Sequence, residues 1–319
     1  MNPRKSIFPF LIWCALLILL AGIDLLQGIF PISSEADLVI LRMVRLPRIL
    51  TAIIAGGGLA VAGAQMQSIL INPLADPHIM GISSGASLGA AIATLAGGYI
   101  GLSGGMSVAI ASITGAAVAS AIIMAASLKL RRATTLLVFG VMLSFIVNAL
   151  VTVLQSGSDA ESLKIYHSWS AGSFSTTSVT EIIIMSVALA LGFMIALAGK
   201  KGLDIILFGD DFTTLSGANP RKIRINALLS CCLITGTVTA FCGPIGFVGI
   251  VAPHIARTLW KTSAHRYIIP GSFLCGSTIG IAADLLSQVT PALIPISSTM
   301  ALVGIPIILY ILIKRPEYR

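Results

Sequence analysis

The sequence predicts an all-α, polytopic membrane protein with ten transmembrane helices, organised as a single domain over residues 1–319. Three observations predict it. Charged residues make up only 10% of the chain, against about 25% in soluble domains. They are absent from long runs: 6–23, 49–75, 77–128, 133–158, 182–199, 225–256, 267–283 and 285–313. A bilayer core takes ~20 apolar residues per helix, so several of these runs hold one span and the longest holds two. Finally, ten spans with the N-terminus inside put all but four of the 20 Lys and Arg residues in the cytoplasm, as the positive-inside rule requires. The four outside are Arg42, Arg45, Arg48 and Lys164. An odd count would expose Lys314, Arg315 and Arg319, so both termini are expected to be cytoplasmic.

Span 1 covers about 7–30 and runs outward behind Arg4 and Lys5. Its apolar run reaches Ile23, longer than the ~7–15 residues of a signal-peptide core, so it is read as an uncleaved helix. The segment 31–44 is external and carries Glu35 and Asp37. Span 2, about 47–68, returns inward and ends at Asn72-Pro73-Leu74-Ala75-Asp76-Pro77. Two prolines there fix the backbone and restrain the residues before them, making a rigid turn. Span 3 covers about 78–98, with an external turn marked by Gly97-Gly98 and Gly101 to Gly105.

Span 4, about 106–128, ends at Lys129, Arg131 and Arg132, and span 5 covers about 133–155. The polar segment 156–178 is external, with Asp159, Glu161, Lys164 and His167. Span 6, about 179–199, ends at Lys200-Lys201. Next comes the longest cytoplasmic segment, 200–224. It reads as amphipathic pieces: Leu203, Ile205, Ile206, Leu207 and Phe208, then Asp210-Asp211, then Thr213 to Pro220. A short helix–turn–helix lying there would offer a knob to a cytoplasmic partner. Span 7, about 225–242, is broken by Gly243-Pro244-Ile245-Gly246, and a shorter span 8 runs to Trp260. Lys261, His265 and Arg266 precede span 9 (about 267–287), and span 10 covers about 295–313.

Small residues crowd the inferred helices, notably Gly56-Gly57-Gly58 and Gly63 in span 2 and Gly85 and Gly89 in span 3. They permit the close backbone approach on which helix association in lipid depends. The net charge of +8 arises from clusters beside apolar runs rather than from a basic face, which excludes nucleic-acid binding. The five cysteines lie in apolar runs without zinc or disulfide spacing. No metal cluster and no phosphate-binding loop occurs. No cofactor is implied, the chain is not an enzyme, and any ATP must be bound by another polypeptide.

Few ionisable residues fall inside spans. Asp284 in span 9 is either a hydrogen-bonded packing residue or a proton or cation site, and no second intramembrane group is evident to form a relay with it. Asp24 lies close enough to the outer end of span 1 to reach the interface. Glu181 suits the positive end of a helix dipole. His78 and His254 sit beside prolines and read as packed residues. The external Arg42, Arg45 and Arg48 suit an acidic docking partner, or lipid headgroups reached by snorkelling.

Taken together, these motifs resemble the FecCD-type permeases of bacterial ABC importers, which carry iron–siderophores, haem and vitamin B12. The resemblance covers about 45–310. It rests on Arg45-Leu46-Pro47-Arg48, Gly56 to Gly63, Gln67, Asn72 to Pro77, Gly81, Gly85-Ala86, Gly140 to Ser144, Trp169 and Gly172-Ser173-Phe174. In the second half it rests on Gly243 to Gly249, Pro253 to Arg257, His265-Arg266, Ala283-Asp284 and Gly304-Ile305-Pro306. It implies a type II importer permease fold like that of the vitamin B12 importer, in the bacterial inner membrane, with spans 2–5 and 7–10 related by an inverted repeat. It also implies a homodimer with the pathway on its axis, two cytoplasmic ATPase subunits and an external binding protein. Arg45 and Arg48 match arginines that pair with acids of the binding protein. The segment 203–220, with Asp210, Leu215, Gly217, Ala218, Asn219 and Pro220, matches the coupling helices. Thr134, Thr135, Gly140, Leu143 and Ser144 are the implied gate. Asn72, Pro73, Pro77, Gly243, Pro244, Pro253, His254 and Asp284 are motif positions with structural roles. Some members carry a third docking arginine after the span-9 acid; this chain has Gln288 there, with Arg42 as a substitute. The expected function is ATP-driven alternating-access import of a metal chelate, with iron–siderophore placed first and haem or cobalamin after it. The rival readings are an ion-coupled secondary transporter using Asp284, and a membrane scaffold with no pathway.

Overall fold

In the computed structural model the chain is all-helical among the described residues, which are 3–27, 34–97, 105–130, 132–289 and 294–314. Arg131, Arg315, Arg319 and most of the glycine turn around 98–104 lie outside them. The helices are α1 (Pro3–Leu26), α2 (Glu35–Ile40), α3 (Leu46–Ile69), α4 (Ile82–Leu95), α5 (Gly105–Lys129), α6 (Ala133–Ser156) and α7 (Ala160–Ser170). They continue as α8 (Val179–Ala198), α9 (Lys200–Ile206), α10 (Asp210–Leu215), α11 (Pro220–Cys242), α12 (Val248–Trp260), α13 (His265–Ser287) and α14 (Ile296–Lys314). Six of them (α1, α5, α6, α8, α11 and α13) are long and apolar enough by composition to cross a membrane. α3 has 24 residues, nearly all buried. α4, α12 and α14 match the expected spans 3, 8 and 10 in position, but α4 and α12 have only 14 and 13 residues.

Two expected loops are helical. Residues 35–40 form α2, which passes through a widened π-type turn at Leu41–Arg45 into α3 without a break. Ser34 caps it, accepting from the Asp37 N–H, while Asp37 accepts from the Ser34 N–H; this reciprocal pair satisfies two orphan donors. The external segment 156–178 contains α7, capped by Asp159. Both helices are polar or short, so no apolar run announced them. Span 7 also starts earlier than expected. Asn219 accepts from the N–H groups of Arg221 and Lys222, and Pro220 takes the first helical position, where its missing N–H costs nothing.

The core is built around α3. It packs on α13, α11, α12 and α8. Where α3 crosses α13, Gly56 meets Gly276 backbone to backbone, and a Cβ on either would overlap the carbonyl oxygen of the other. Gly63 meets Gly249 of α12 in the same way. The inverted repeat appears in the packing: α4 lies on α5 as α12 lies on α13, α3 on α13 as α11 on α5, and α4 on α6 as α12 on α14. Each half also breaks after its first helix. The breaks contain left-handed residues, Ile71 (φ 49°) and Gly81 (φ 90°) in one, Gly243 (φ 76°) and Phe247 (φ 69°) in the other.

Those breaks explain the proline motifs. The Asn72 side chain accepts from the Leu74 N–H at 2.9 Å, Pro77 is buried, and the Pro73 carbonyl accepts a 2.9 Å hydrogen bond from the ring of His254. Pro253 places that ring within α12. Gly243 and Pro244 end α11 where the 171–173 turn docks: the Ser173 N–H donates to the Cys242 carbonyl at 3.0 Å, and the Trp169 indole donates to the Ala240 carbonyl at 3.3 Å.

Candidate functional site

Charged groups gather at the two ends of α3, about 35 Å apart at ~1.5 Å rise per residue. The ends are called outer and inner here following the positive-inside reading.

At the outer end the three arginines lie on one continuous helix and point differently. Arg42 is exposed, Arg45 is half-buried and Arg48 is 8% exposed. Arg48, which the resemblance places among the docking arginines, is thus buried in this chain. Its Nε donates to both carboxylate oxygens of Asp284 (2.9 and 2.8 Å) and its Nη2 donates to Ser287 Oγ at 2.9 Å. Asp284 is fully buried, and Arg48 is the intramembrane partner that sequence reasoning did not find for it. Asp24 does not reach the interface either. It is fully buried and accepts from Gln288 Nε2 at 2.8 Å. Gln288 also donates to Asp284 Oδ2 at 3.0 Å and accepts from Arg45 Nη1, while Arg45 Nη2 donates to the Gln27 carbonyl at 2.9 Å. Two cations and two carboxylates thus tie α1, α3 and α13 together. A buried carboxylate is tolerated when paired and hydrogen-bonded, and Asp284 is both. That commitment argues against Asp284 as an ion-coupling site. The charge pattern offered one clue, since acids and bases inside membrane segments usually pair with each other. Gln288, a neutral residue at a helix end, offered none.

Beside this cluster is a cavity of about 770 Å³. α7, the 171–176 turn and the outer ends of α11 and α13 enclose it, with Lys164, Trp169, Ser173, Phe241 and the flank of Arg48 in its wall.

The inner end holds the helix–turn–helix expected at 203–220, as α9 and α10. Gly209 (φ 95°) and Gly217 (φ 79°) turn the chain where a side chain would be strained. Arg224, buried at the start of α11, donates from Nη1 and Nη2 to Asp210 at 2.9 and 2.8 Å, which braces α10 on α11. The knob is apolar: Leu215 is 87% exposed, and the exposed rings of Phe208 and Phe212 meet at a tilt with centroids 5.2 Å apart. A cleft of about 1010 Å³ separates it from α6, lined by Thr134, Asp210, Ala218, Asn219 and Pro220. Thr135 is exposed nearby. The other residues that the resemblance implies as the gate pack against the first break: Ser144 Oγ donates to the Ile79 carbonyl at 3.0 Å, and Gly140 and Leu143 lie beside Met80 and Gly81.

A third cluster was not singled out from the sequence. Asp204 of α9 accepts from the His265 backbone N–H (2.8 Å) and from its Nδ1 (2.6 Å), while Nε2 lies 2.6 Å from Ser68 Oγ on α3. Burial pushes the Asp204 carboxyl up, but the hydrogen bonds from the His265 ring and N–H and the nearby charges of His265 and Arg266 outweigh it, and the carboxyl sits below its ordinary range. Stability from a depressed acid is present above the unfolded value, about pH 4, and is lost as pH falls through the folded value. Melting of wild type and Asp204→Asn between pH 7 and pH 3 should show a constant gap down to about pH 4 that closes below it. A gap that widens on acidification would refute the assignment.

The comparisons with known proteins agree with this architecture. The model of the FecCD transport family matches residues 7–314. The chain belongs to that family. The hemin transport system permease protein HmuU of Yersinia pestis is 32% identical over 290 residues, 86% of this chain and 84% of that protein. The Fe(3+)-citrate import system permease protein YfmE of Bacillus subtilis (strain 168) is 31% identical over 331 residues, 98% of this chain and 96% of its own length. A solved structure of an ABC transporter assigned to the metal-chelate type, in an inward-facing conformation, superposes with a TM-score of 0.88 at 30% identity, over 98% of this chain and 100% of that one. The chain is therefore a multi-pass, all-helical permease of the ABC importer class. Like other members of the FecCD family it is a transport subunit rather than an enzyme.

Proposed function

We propose that this chain is the permease subunit of an ABC importer that carries an iron chelate into the bacterial cytoplasm across the inner membrane, with both termini cytoplasmic. The observation that carries the reading is the braced apolar knob at the inner end. Leu215, Phe208 and Phe212 are exposed beside charged residues, and Arg224 and Asp210 hold them on a long apolar helix. Exposed apolar groups on a rigid mount suit a partner, here the cleft of an ATPase subunit. Two copies of the chain enclose the pathway, and two ATPase subunits seat on the two knobs. Nucleotide-driven closure moves α9 and α10 and the adjacent start of α6, where Thr134 and Thr135 begin the inner gate.

At the outer end, Arg45 and Arg42 offer their charge to acidic groups of a substrate-binding protein; Arg48 supports them from below through Asp284. Iron is placed first as cargo because hemin, ferric-citrate and ferric-enterobactin permeases are all among the relatives that match over most of their length, beside a vitamin B12 permease.

Reconstitution tests the reading. Proteoliposomes holding the permease, its ATPase subunits and its binding protein should take up ferric siderophore only with ATP, and hemin or cobalamin more slowly. Uptake by the permease alone against a gradient would refute it, and faster cobalamin uptake would change the cargo. In the same system Arg45→Glu should weaken docking of the binding protein about tenfold while ATPase assembly persists, and salt should shrink the wild-type advantage.

A further inference from the structure

The knob is attached to the membrane helices by two polar posts, and only one of them reaches the first half of the inverted repeat. One is Asp210 on Arg224, which reaches α11, the first helix of the second half. The other is the chain Asp204–His265–Ser68, which reaches α3, the first helix of the first half, and α13. Ser68 is fully buried and its Oγ also donates to the Ala64 carbonyl at 2.9 Å, so this post ends inside the bundle rather than at its surface. The helix carrying Asp204 has seven residues. Apart from the covalent chain, Leu203 and Ile206, both buried, are its apolar seat.

What the second post grips is stiff. α3 and α13 are joined at three levels: Ser68–His265 at the inner end, the Gly56–Gly276 backbone contact in the middle, and Arg48–Asp284 at the outer end. A displacement entering at Ser68 and His265 therefore reaches Arg48 and Asp284 by moving the pair as a body. His265 suits the junction. It is the first residue of α13, and its ring bridges an acceptor on α9 and a hydroxyl on α3, so one residue ties three helices.

We propose that Asp204, His265 and Ser68 are positioning residues for coupling: they deliver the movement of α9 to the α3–α13 pair while Asp210–Arg224 delivers it to α11, so that both repeats move together. This rests on the ABC-importer reading above. In that frame the two posts have different failure modes. Loss of the Asp204 post leaves the ATPase subunits seated and hydrolysing, but with only one repeat driven.

The test is the ratio of chelate imported to ATP hydrolysed by the full complex in proteoliposomes. Asp204→Ala should lower the ratio about tenfold, with ATPase subunits still bound, and Ser68→Ala, which removes one hydrogen bond and adds no bulk, about threefold. Asp204→Asn keeps an acceptor for the His265 N–H groups and should restore the ratio to within about twofold. If Asp204→Ala fails to assemble, Ser68→Ala decides by itself. Uptake and hydrolysis falling in parallel, with the ratio unchanged, would overturn the proposal, as would Asp204→Asn behaving like Asp204→Ala. A wild-type complex that hydrolyses ATP without uptake would take down the importer reading and this proposal with it, whereas wild-type transport with unaltered variants would sink the proposal alone.

Discussion

Arg48→Ala is expected to destabilise the folded protein by about 3–5 kcal/mol, because it strands the Asp284 carboxylate in the bundle without its counter-ion. Asp284 has no solvent exposure. Its remaining partner, Gln288, supplies a neutral amide that it shares with Asp24. The cost comes from the charge left behind and not from the bond removed. Arg48→Ala with Asp284→Ala should therefore recover much of the loss, since two apolar groups need no partner. Thermal unfolding in detergent of the two single variants and the double variant measures this as a coupling energy. Additive losses would show that the pair contributes nothing beyond its separate side chains. The same measurement bears on Arg45. Its guanidinium is half-buried and bonded to Gln288 and the Gln27 carbonyl, so Arg45→Ala should cost less than Arg48→Ala and act mainly on docking.

Gly63→Val is expected to prevent correct assembly of the bundle, giving no monodisperse protein. A Cβ at Gly63 would overlap the carbonyl carbon and oxygen of Gly249, and Gly249 in turn lies against the Leu59 carbonyl and the Asp76 carboxylate. Side chains could rotate away from a new methyl group; backbone pinned on both sides cannot. Even Gly63→Ala should cost several kcal/mol, about the top of the range for single substitutions. The control is Gly22→Ala in α1, where nothing lies within 4 Å of the new atom. There the helix-propensity gain of about 1 kcal/mol is the whole effect. Size-exclusion profiles and melting curves of the three variants decide it. A well-folded Gly63→Val protein would mean that α3 and α12 do not pack as described.

Much of the fold was legible in the sequence because its signals are local. The expected spans 4, 5, 6 and 9 agree with α5, α6, α8 and α13 to within two residues, because Lys129, Arg132, Lys200-Lys201 and Arg266 mark their boundaries by charge. The helices that were missed, 35–45 and 160–170, are the ones without an apolar run. Their ends are set by Ser34 and Asp159 capping, a signal of one or two residues that polar loops also contain. At the candidate site the 203–220 segment was readable as amphipathic pieces around Asp210-Asp211. The clusters were not. Arg48 and Asp284 are 236 positions apart, Asp24 and Gln288 are 264 apart, and Ser68 and His265 are 197 apart.

Composition and charge placement determined by themselves that this chain belongs in a bilayer and where its long apolar helices lie, because transfer into lipid is decided residue by residue along the chain. They also marked Asp284 as a group in need of partners, since an unpaired charge in that medium is too costly to keep, whereas Asp24 and Arg48 were placed at the outer boundary. Which partner each one takes was decided only by the tertiary structure. An ion pair depends on a few ångströms of separation between helices, and the glycine contacts that bring α3 against α12 and α13 exist only once the helices have packed.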